Sequence, residues 1–417
     1  MNICVIGLGY IGLPTAAMFA STGHYVTGVD NNPQVVDSLN KGEIIIEEQG
    51  LGQLVSKAVK EGNLKGSLKP VESHVFILAV PTPITSDKKA CMSHVISAAE
   101  SIVPYLKIGD TVILESTSPV GTVDEVLAPI LAKSGLKPGT DFYLGHSPER
   151  VIPGQILNEL VNNSRIAGGI NSQSALKISH IYKSSFVKGE IYITDSRTAE
   201  LCKLAENTFR DVNIAFANEL AKICESLGIN AWEAIELCNK HPRVNIHQPG
   251  PGVGGHCIAV DPWFIVEKEP DLSNIIQQSR ITNDSMPYHV MSKIDSILTG
   301  IKNPKVTLLG ITYKGDVDDV RESPILALSK LLREGGYEVT HFDPFVKNPE
   351  LASDDLIDSC RDSDLLVLGA PHSQFKSLPF EDLSRIMRNK NLLDTRNLAD
   401  SAAAESYGFS YHLLGRR

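Results

Sequence analysis

The sequence predicts an α/β fold with two Rossmann-like, doubly wound parallel-sheet domains joined by a central helical domain that contains one long helix. Three observations carry this prediction. Short β-branched runs alternate with amphipathic segments in the first third of the chain, one continuous helical pattern follows, and the alternation then restarts. A chain of 417 residues is long enough for two or three domains. We place these domains at residues 1–195, 196–300 and 301–417.

The first third of the chain alternates between buried strands and helices. Apolar, β-branched runs indicate the strands, and the segments between them have helical spacing. This alternation is typical of a parallel sheet with helices on both faces. The strands are expected at Asn2–Ile6, Tyr25–Asp30, His74–Val80, Thr111–Glu115 and Phe142–Gly145, and the helices at Leu13–Ser21, Pro33–Leu39, Leu51–Glu61 and Val95–Leu106.

The middle of the chain is helical. One uninterrupted helical pattern extends from Ser196 to Gly228, and its length indicates a helix that bridges domains or forms a subunit interface. More helix is predicted at Ala231–Cys238 and Ile275–Leu298. After Asn303 a smaller α/β domain follows, with strands expected at Lys305–Gly310, Glu338–Phe342, Leu365–Gly369 and Asn391–Thr395 and a helix at Pro324–Glu334.

Composition argues against several classes of protein. The formal net charge of −10 disfavours a nucleic-acid partner, although a local basic pocket for an anionic small molecule is compatible with it. The seven cysteines are scattered and odd in number, which indicates neither a disulfide framework nor a metal site. The first apolar run has no cationic segment before it, and no stretch approaches the roughly 18 apolar residues of a membrane span. We therefore expect a cytoplasmic protein without a membrane partner.

A dinucleotide fingerprint opens the chain. Gly7-Leu8-Gly9-Tyr10-Ile11-Gly12 directly follows the first strand and begins a helix, and Asp30 ends the second strand. In such motifs the first glycine permits the tight turn, the second lets the backbone approach the pyrophosphate, and the third lets helix and strand pack closely. The helix N-terminus favours phosphate binding. Because a carboxylate at Asp30 would repel a 2′-phosphate, the sequence favours NAD over NADP.

Two further strand ends belong to the same predicted crevice. Val80-Pro81-Thr82-Pro83 and Glu115-Ser116-Thr117-Ser118-Pro119 both lie at the carboxyl edge of predicted parallel strands, where such sheets bind ligands. Thr82 and Thr117 are therefore candidate polar contacts for the cofactor or for a water molecule. The alternative is that the prolines simply end the strands.

The most reactive candidate is Cys257, in Gly252-Val253-Gly254-Gly255-His256-Cys257. Glycines beside a thiol leave room for a ligand against the backbone. A nucleophilic thiol and a hydride acceptor in one protein indicate oxidation through a covalent sulfur adduct. The alternative interpretation is that Cys257 is a small buried apolar residue, as many cysteines are.

Several cations form a possible anion site. Lys203, Asn207 and Arg210 are spaced so that they share one face of the long helix, and such a stripe could hold a pyrophosphate and polarise a reacting oxygen. Taken singly, each cation is better explained by a solvated surface charge. Other candidates follow strand ends or flank the glycine loop: Arg150, His241, Arg243, Tyr313, Lys314 and Arg321.

These motifs together resemble the UDP-glucose/GDP-mannose dehydrogenase family over nearly the whole chain. Within that family, the segments around His241 and Cys257 and the stretch 209–219 are most similar to the branch that acts on UDP-N-acetyl-D-mannosamine. One departure is Val35, where many relatives carry a cation shortly after the ribose-binding acid. The resemblance rests on the fingerprint at 7–12, Val80–Pro83, Glu115–Thr117, Ser147–Arg150, Lys203–Asn207, the Cys257 loop and Lys314–Ser323.

The resemblance implies a four-electron, NAD-dependent oxidation of the C6 alcohol of a UDP-sugar through a Cys257 thiohemiacetal and thioester, giving a uronate for a surface polysaccharide. It implies that Lys203 and Asn207 stabilise the developing oxyanion, that Glu149, Thr117 and Asp261 position or activate water, and that Arg321 lies near the cofactor phosphates. It also implies a homodimer formed by the middle helices and a last domain that holds UDP. The substrate would contact Arg150, Val151, Lys203, Asn207, Arg210, His241, Arg243, Gly254, Tyr313, Lys314 and Arg396.

Three alternatives stay open at this point. UDP-N-acetyl-D-glucosamine differs from the expected substrate at C2 of the sugar. A two-electron hydroxyacid dehydrogenase of similar layout would release one NADH per substrate and would not need Cys257. A nucleotide-sensing or scaffold protein would bind NAD without oxidising any UDP-sugar.

Overall fold

The computed structural model describes residues 1–46, 48–152 and 154–417. It divides into two compact units. The first unit contains Met1–Glu206 and Trp263–Pro270, and the second contains Asn207–Pro262 and Asp271–Arg417. Within the described residues, no helix combines the length and the apolar character needed to cross a membrane.

An eight-stranded sheet forms the centre of the first unit. Its strand order is β3-β2-β1-β4-β5-β6-β7-β8, and neighbours are parallel except for the antiparallel pair β6–β7. The order reverses direction between β1 and β4, which makes the carboxyl ends of these strands a topological switch point. The strands are β1 Asn2–Ile6, β2 Tyr25–Val29, β3 Leu64–Ser67, β4 Val75–Leu78, β5 Thr111–Leu114, β6 Tyr143–His146, β7 Arg165–Gly169 and β8 Ile191–Asp195.

Helices cover both faces of this sheet. Alternate β1 residues point to opposite faces, so Ile3 and Val5 pack in one core cluster with Phe19 while Cys4 packs in the other with Phe76. The helices are α1 Gly12–Ser21, α2 Pro33–Asn40, α3 Leu51–Lys60, α4 Ser93–Ile102, α5 Ala128–Leu131, α6 Ile156–Asn162 and α7 Ser172–Lys183, with single turns at Val103–Tyr105 and Ala132–Ser134 and a π-helix at Thr122–Leu127.

The predicted long helix is present as α8, Ser196–Leu227, which begins in the first unit and ends in the second. The other helices of the middle region are α9 Ala231–Cys238, α10 Asp261–Lys268, α11 Asn274–Asp284 and α12 Met286–Ile297. Helix was predicted over Ile275–Leu298, and the structure has two helices there, α11 and α12. The break falls at Ser285, and Pro287 lies in the first turn of α12, where its missing N–H costs nothing.

A five-stranded parallel sheet forms the centre of the second unit, in the order β10-β9-β11-β12-β13. Helix α13 begins after Ser323, whose side chain accepts hydrogen bonds from the N–H groups of Ile325 and Leu326. The strands are β9 Lys305–Leu309, β10 Glu338–Phe342, β11 Leu365–Leu368, β12 Asn391–Asp394 and β13 Ser410–Leu413, and the helices are α13 Pro324–Glu334, α14 Leu356–Cys360, α15 Phe380–Ile386 and α16 Ser401–Ser406, with a 3₁₀ segment at Ser373–Ser377.

The predicted fold class is confirmed: two parallel-sheet regions flank a helical region with one long helix. Four strands were not predicted, namely β3, β7, β8 and β13. The edge strand β8 illustrates why, because Tyr192 and Ile193 are both exposed and no alternation of apolar and polar faces marks it in the sequence. The three-domain division at 1–195, 196–300 and 301–417 stays a prediction.

Candidate active site

The glycine fingerprint forms a tight turn between β1 and α1. Gly7 has a φ of +94°, a conformation that side chains other than glycine rarely adopt. A Cβ at Gly12 would lie 1.8 Å from the carbonyl oxygen of Gly7, so only glycine fits there. A Cβ at Gly9 would meet nothing within 4 Å, which leaves open space above that backbone. Tyr10 and Ile11 complete the turn, and α1 begins at Gly12.

Asp30 braces this turn from the end of β2. Its Oδ2 accepts the N–H of Leu8 at 3.0 Å, and its Oδ1 accepts the N–H of Asn32 at 2.9 Å. The half-buried carboxylate keeps lone pairs that can accept ribose hydroxyls. Together with the helix N-terminus and the open backbone at Gly9, these residues fit a dinucleotide. Val35, at the departure from the family pattern, is buried in α2.

Thr82 and Thr117 are joined to each other. The Thr82 hydroxyl is buried and donates to the Thr117 carbonyl at 2.6 Å, which ties the loop after β4 to the loop after β5. The Thr82 hydroxyl therefore already donates its proton to the protein, so it could only accept a hydrogen bond from a ligand. A cofactor contact at either residue stays a prediction.

A buried cation, Arg165, holds the loop that carries Glu149. Its guanidinium donates to Glu149 Oε2 and, at 3.2 Å, to Glu115 Oε1. Tyr182 and Thr15 also donate to Glu115, at 2.5 and 3.1 Å. Burial raises the pKa of the Glu115 carboxyl, and the charge of Arg165 opposes that rise. Sequence reasoning missed this cluster, because its members are far apart in the chain.

Arg150 and Val151 follow Glu149 in the same loop. The Arg150 guanidinium binds Glu206 at 2.7 Å and the carbonyl of Ser164, while Val151 packs against the core.

Lys203 is half-buried on α8, and its positive charge disfavours the charged form of His146. Burial lowers the pKa of His146 to about 3, and Lys203 acts in the same direction.

Cys257 is an exposed thiol, so the alternative of a small buried apolar residue is wrong. Its carbonyl accepts the N–H groups of Val260 and Asp261 at 3.0 and 2.8 Å, which turns the chain into α10. Gly255 precedes it with a φ of +85°, and a Cβ there would lie 2.7 Å from the Tyr313 ring. The glycine therefore allows the loop to pack closely on Tyr313.

Two predicted catalytic residues of this unit are in contact. The buried Asn207 side chain donates to Asp261 Oδ2 at 2.6 Å. Asn207 lies on α8 and Asp261 is the first residue of α10, so the bond joins the long helix to the helix that follows Cys257. This hydrogen bond fixes the Asn207 amide and the Asp261 carboxylate relative to the segment from Gly250 to Cys257, which we call the thiol loop.

The loop after β9 carries Tyr313 and Lys314 and is braced from below. Asp343 Oδ2 accepts the N–H of Ile311 at 2.7 Å and bonds His372 Nε2 at 3.1 Å. Burial alone would raise the pKa of Asp343, but His372 and backbone donors lower it overall. Thr312 completes the brace by donating to the Lys314 carbonyl at 2.8 Å.

Arg396 lies beside Gly250, and Arg321 contacts the same loop at Gly255. The Arg396 Nε donates to the Gly369 carbonyl at 2.8 Å, and a Cβ at Gly250 would lie 2.5 Å from its guanidinium. Burial lowers the pKa of Arg396 to about 10. Arg321 is exposed and bonds Asp319 at 2.6 Å, while its carbonyl accepts the N–H of Gly255. Gly254 packs against the carbonyl of Glu322.

Arg210 lines a cavity of about 820 Å³ in the second unit. Trp232, His247 and Asn397 line it as well, and sequence reasoning had not singled them out. Burial lowers the pKa of His247, with Arg210 acting in the same direction. His241 and Arg243 are exposed just before this segment, and the Arg243 N–H donates to His241 Nδ1 at 3.3 Å.

Each unit thus gathers one part of the predicted site. The first unit contains the glycine fingerprint at residues 7–12, which we call the dinucleotide turn, and Thr82, Thr117, Glu149, Arg150, Val151 and Lys203. The second contains Cys257, Asn207, Asp261, Arg210, His241, Arg243, Gly254, Tyr313, Lys314, Arg321 and Arg396. The roles of all these residues stay predictions.

Comparison with known families matches three consecutive segments to one family. Residues 1–186 match the NAD binding domain of the UDP-glucose/GDP-mannose dehydrogenase family, residues 197–285 match its central domain, and residues 307–401 match its UDP binding domain. The matched segments cover most of the chain.

Individual proteins agree with this result. The chain is 48% identical to a UDP-N-acetyl-D-mannosamine dehydrogenase of Methanococcus aeolicus, over 99% of this chain and 95% of that protein. Two solved structures are similar over 100% of this chain and 99% of theirs. They are a UDP-N-acetyl-mannosamine dehydrogenase of Staphylococcus aureus, with 46% identity and a TM-score of 0.92, and a UDP-D-ManNAc dehydrogenase of Pyrococcus horikoshii, with 40% identity and a TM-score of 0.93.

Proposed function

Because the chain belongs to the UDP-glucose/GDP-mannose dehydrogenase family, we propose that it oxidises the C6 alcohol of UDP-N-acetyl-D-mannosamine to the carboxylate of UDP-N-acetyl-D-mannosaminuronate, with NAD as cofactor. One observation carries the chemistry: an exposed thiol, Cys257, stands on a glycine-rich loop of a chain whose first 186 residues are an NAD binding domain. Two oxidations at one carbon need a way to hold the aldehyde between them, and a thiol provides it.

The covalent steps belong to Cys257. Bound NAD supplies the hydride acceptor for each of the two oxidations. After the first oxidation, the sulfur adds to the C6 aldehyde, a C–S bond forms, and the carbonyl oxygen takes up a proton. The second oxidation converts this thiohemiacetal into a thioester. Water then attacks the thioester carbon, the C–S bond breaks, the carboxylate product is released, and the sulfur takes up a proton to restore the Cys257 thiol.

Five other residues of the predicted site are assigned to stabilising and directing these steps. We assign Lys203 and Asn207 to the oxyanion that develops on C6, and Lys203 also to proton transfer. Glu149, Thr117 and Asp261 would position the hydrolytic water. The bond from Asn207 to Asp261 supports this assignment, because it holds an amide and a carboxylate in fixed orientation beside the thiol loop. Each oxyanion donor is worth about 3–4 kcal/mol in other enzymes, so loss of Lys203 should lower kcat by on the order of a hundredfold or more.

The substrate carries a pyrophosphate, and the second unit offers cations for it. Arg396 is half-buried beside Gly250, and its Nε donates to a backbone carbonyl, while Lys314 is exposed on a braced loop. A guanidinium can donate two parallel hydrogen bonds to phosphate oxygens, which suits Arg396 to a pyrophosphate. We assign both residues to the substrate, together with Arg150, Val151, Lys203, Asn207, Arg210, His241, Arg243, Gly254 and Tyr313.

The test is the yield of NADH per UDP-sugar consumed. The wild-type enzyme should release two NADH, and Cys257→Ser should be inactive or should stall, while Cys238→Ser, which alters another exposed thiol, should behave as wild type. One NADH per substrate with a fully active Cys257→Ser would show a two-electron dehydrogenase instead. NAD binding without NADH release from any UDP-sugar would show a sensor or scaffold.

The sugar epimer is decided by a second assay. Steady-state kcat/KM should be higher for UDP-N-acetyl-D-mannosamine than for UDP-N-acetyl-D-glucosamine. Equal or better turnover of the gluco epimer would replace the proposed substrate.

The proposed assembly is a homodimer formed through α8. Phe209, Phe216 and Ile223 recur every seven residues on this helix and are 66%, 51% and 44% exposed, and a stripe of large apolar side chains at this period is typical of a helix that packs on a partner. Phe209→Glu combined with Phe216→Glu should yield monomers in analytical ultracentrifugation, whereas Tyr25→Glu, at an exposed aromatic residue of the first unit, should not. Wild-type monomers would contradict the proposal.

We also propose a cytoplasmic location, because the seven cysteines are scattered along the chain and all are free, which is usual in a reducing compartment. Cell fractionation would check this.

A further inference from the structure

A buried polar chain in the second unit leads to the thiol loop. Asn218 on α8 accepts the N–H of Gly250 with its Oδ1 at 2.8 Å, and its Nδ2 donates to Asn283 Oδ1 at 2.8 Å. Asn283 on α11 then donates to Asp211 Oδ1 at 2.8 Å, and Arg280 donates to the same oxygen at 2.6 Å. Asn218, Asn283 and Asp211 are fully buried and Arg280 is 1% exposed.

The two ends of this chain fix the orientation of both amides. At one end the Gly250 N–H can only donate, so the oxygen of Asn218 must face it. At the other end a carboxylate, balanced by Arg280, accepts from Asn283. Each amide between them therefore has one orientation that satisfies every neighbour, which gives the chain a single arrangement.

Hydrogen bonds at Gly250, Gly255 and Cys257 hold the segment from Gly250 to Cys257. Besides the bond from Gly250 to Asn218, the N–H of Gly255 donates to the Arg321 carbonyl at 3.0 Å, and the N–H of Asp261 donates to the Cys257 carbonyl at 2.8 Å. Between these points, a Cβ at Gly252 would lie 3.3 Å from the Asn283 carbonyl. The bond at Gly250 is made by a side chain, so a substitution outside the loop can remove it.

We propose that Asn218 is a positioning residue for Cys257: it anchors the start of the thiol loop, and Asn283 with the Asp211–Arg280 pair orients it. The inference rests on the proposed role of Cys257. Asn218 acts through the backbone of the loop, and its loss should displace the thiol without removing any group that contacts the substrate. A displacement of about 1 Å at a reacting group is enough to lower turnover severely.

The experiment compares Asn218→Ala with Asn213→Ala in the full-length enzyme. Asn213 lies on the same helix, and its side chain donates to the Phe209 carbonyl, away from the thiol loop. In hydrogen exchange without substrate, the amides of residues 249–257 should exchange about fivefold faster in Asn218→Ala, as expected for the loss of one buried hydrogen bond. Its kcat should fall at least tenfold while KM for NAD stays within twofold. Asn213→Ala should match wild type in both measurements.

A second variant, Asn283→Ala, keeps the inference testable if Asn218→Ala does not fold. Asn283→Ala leaves Asn218 in place but removes its orienting partner, so it should change exchange and kcat in the same direction by a smaller factor. Folded Asn218→Ala enzyme with wild-type exchange in 249–257, or with wild-type kcat, would overturn the inference. Exchange is measured without turnover, so it still decides the matter if the enzyme oxidises no UDP-sugar, an outcome that would overturn the proposed function alone.

Discussion

Arg165 supplies the positive charge that pairs with two buried carboxylates, those of Glu115 and Glu149. It is 4% exposed, and its guanidinium faces Glu115 and Glu149 while lying 4.2 Å from the centre of the Tyr182 ring. Removing one partner of a buried ion pair leaves the other charge uncompensated, which costs about 3–5 kcal/mol. We therefore expect Arg165→Met to lower the free energy of unfolding by that amount in urea denaturation followed by circular dichroism.

The matched control for Arg165→Met is Arg197→Met, in the same unit. Arg197 also pairs with two carboxylates, Asp124 and Glu125, but its side chain is 48% exposed. Exposed pairs contribute about 0–1 kcal/mol, so this variant should be nearly neutral. Equal losses in the two variants would show that the Arg165 cluster contributes no more than a surface pair.

Residues of local motifs could be predicted from the sequence, and residues defined by long-range contacts could not. Gly7, Gly12 and Asp30 have a recognisable spacing because their geometry is set within one strand–helix–strand unit. Arg165 binds a glutamate 50 positions earlier in the chain, and Asn218 binds a glycine 32 positions later. A single sequence carries no periodic signal for such pairs.

Among the elements, the π-helix Thr122–Leu127 depends on a carboxylate from α8. Glu200 accepts the N–H groups of Gly121 and Val123 at 2.6 and 2.8 Å and so satisfies donors at the start of that helix. Burial raises the pKa of Glu200 from 4.5 to about 7, against the effect of those two backbone donors. The two helices are therefore linked by a group that titrates near neutral pH.

The raised pKa of Glu200 gives a stability effect with a definite sign. Between pH 4.5 and pH 7 the folded chain binds a proton at this site that the unfolded chain has lost, so stability falls as pH rises through this window, by at most about 3 kcal/mol. Glu200→Gln cannot ionise, so its stability deficit relative to wild type should shrink from pH 5 to pH 8 in thermal unfolding. The exposed Glu61→Gln is the control, and a deficit that stays constant or grows would contradict the assignment.

Element types were more predictable than element ends and edges. The long helix α8 was expected from its uninterrupted pattern, and the strands of the two sheet centres were expected from their apolar runs. The break between α11 and α12 was missed because Pro287 is compatible with a first helical turn and leaves the apolar spacing intact on both sides. Local pattern alone does not tell a continuing helix from two consecutive ones.

For the molecule as a whole, the charge distribution explains how an acidic protein can take an anionic substrate. The formal net charge is −10, yet the residues proposed to hold the UDP-sugar include Arg210, Arg243, Lys314 and Arg396, all in the second unit. Net charge governs long-range steering and solubility, whereas affinity for a pyrophosphate depends on the few cations within hydrogen-bond reach. The overall composition therefore disfavours a polyanion partner, whereas it is compatible with a nucleotide sugar.

Division of the chain into two compact units predicts ligand-specific protection. The NAD binding domain match ends at residue 186, and the UDP binding domain match spans residues 307–401, so the two ligands should slow hydrogen exchange in different units. NAD at 100 times its Kd should slow exchange around the dinucleotide turn, residues 7–15, by up to about a hundredfold, and UDP should do the same at residues 249–257 and 311–323. NADP is the control for the first effect, since Asp30 disfavours a 2′-phosphate. Protection of residues 7–15 by UDP would show that the nucleotides do not bind the units as proposed, and equal protection by NAD and NADP would contradict the preference assigned to Asp30.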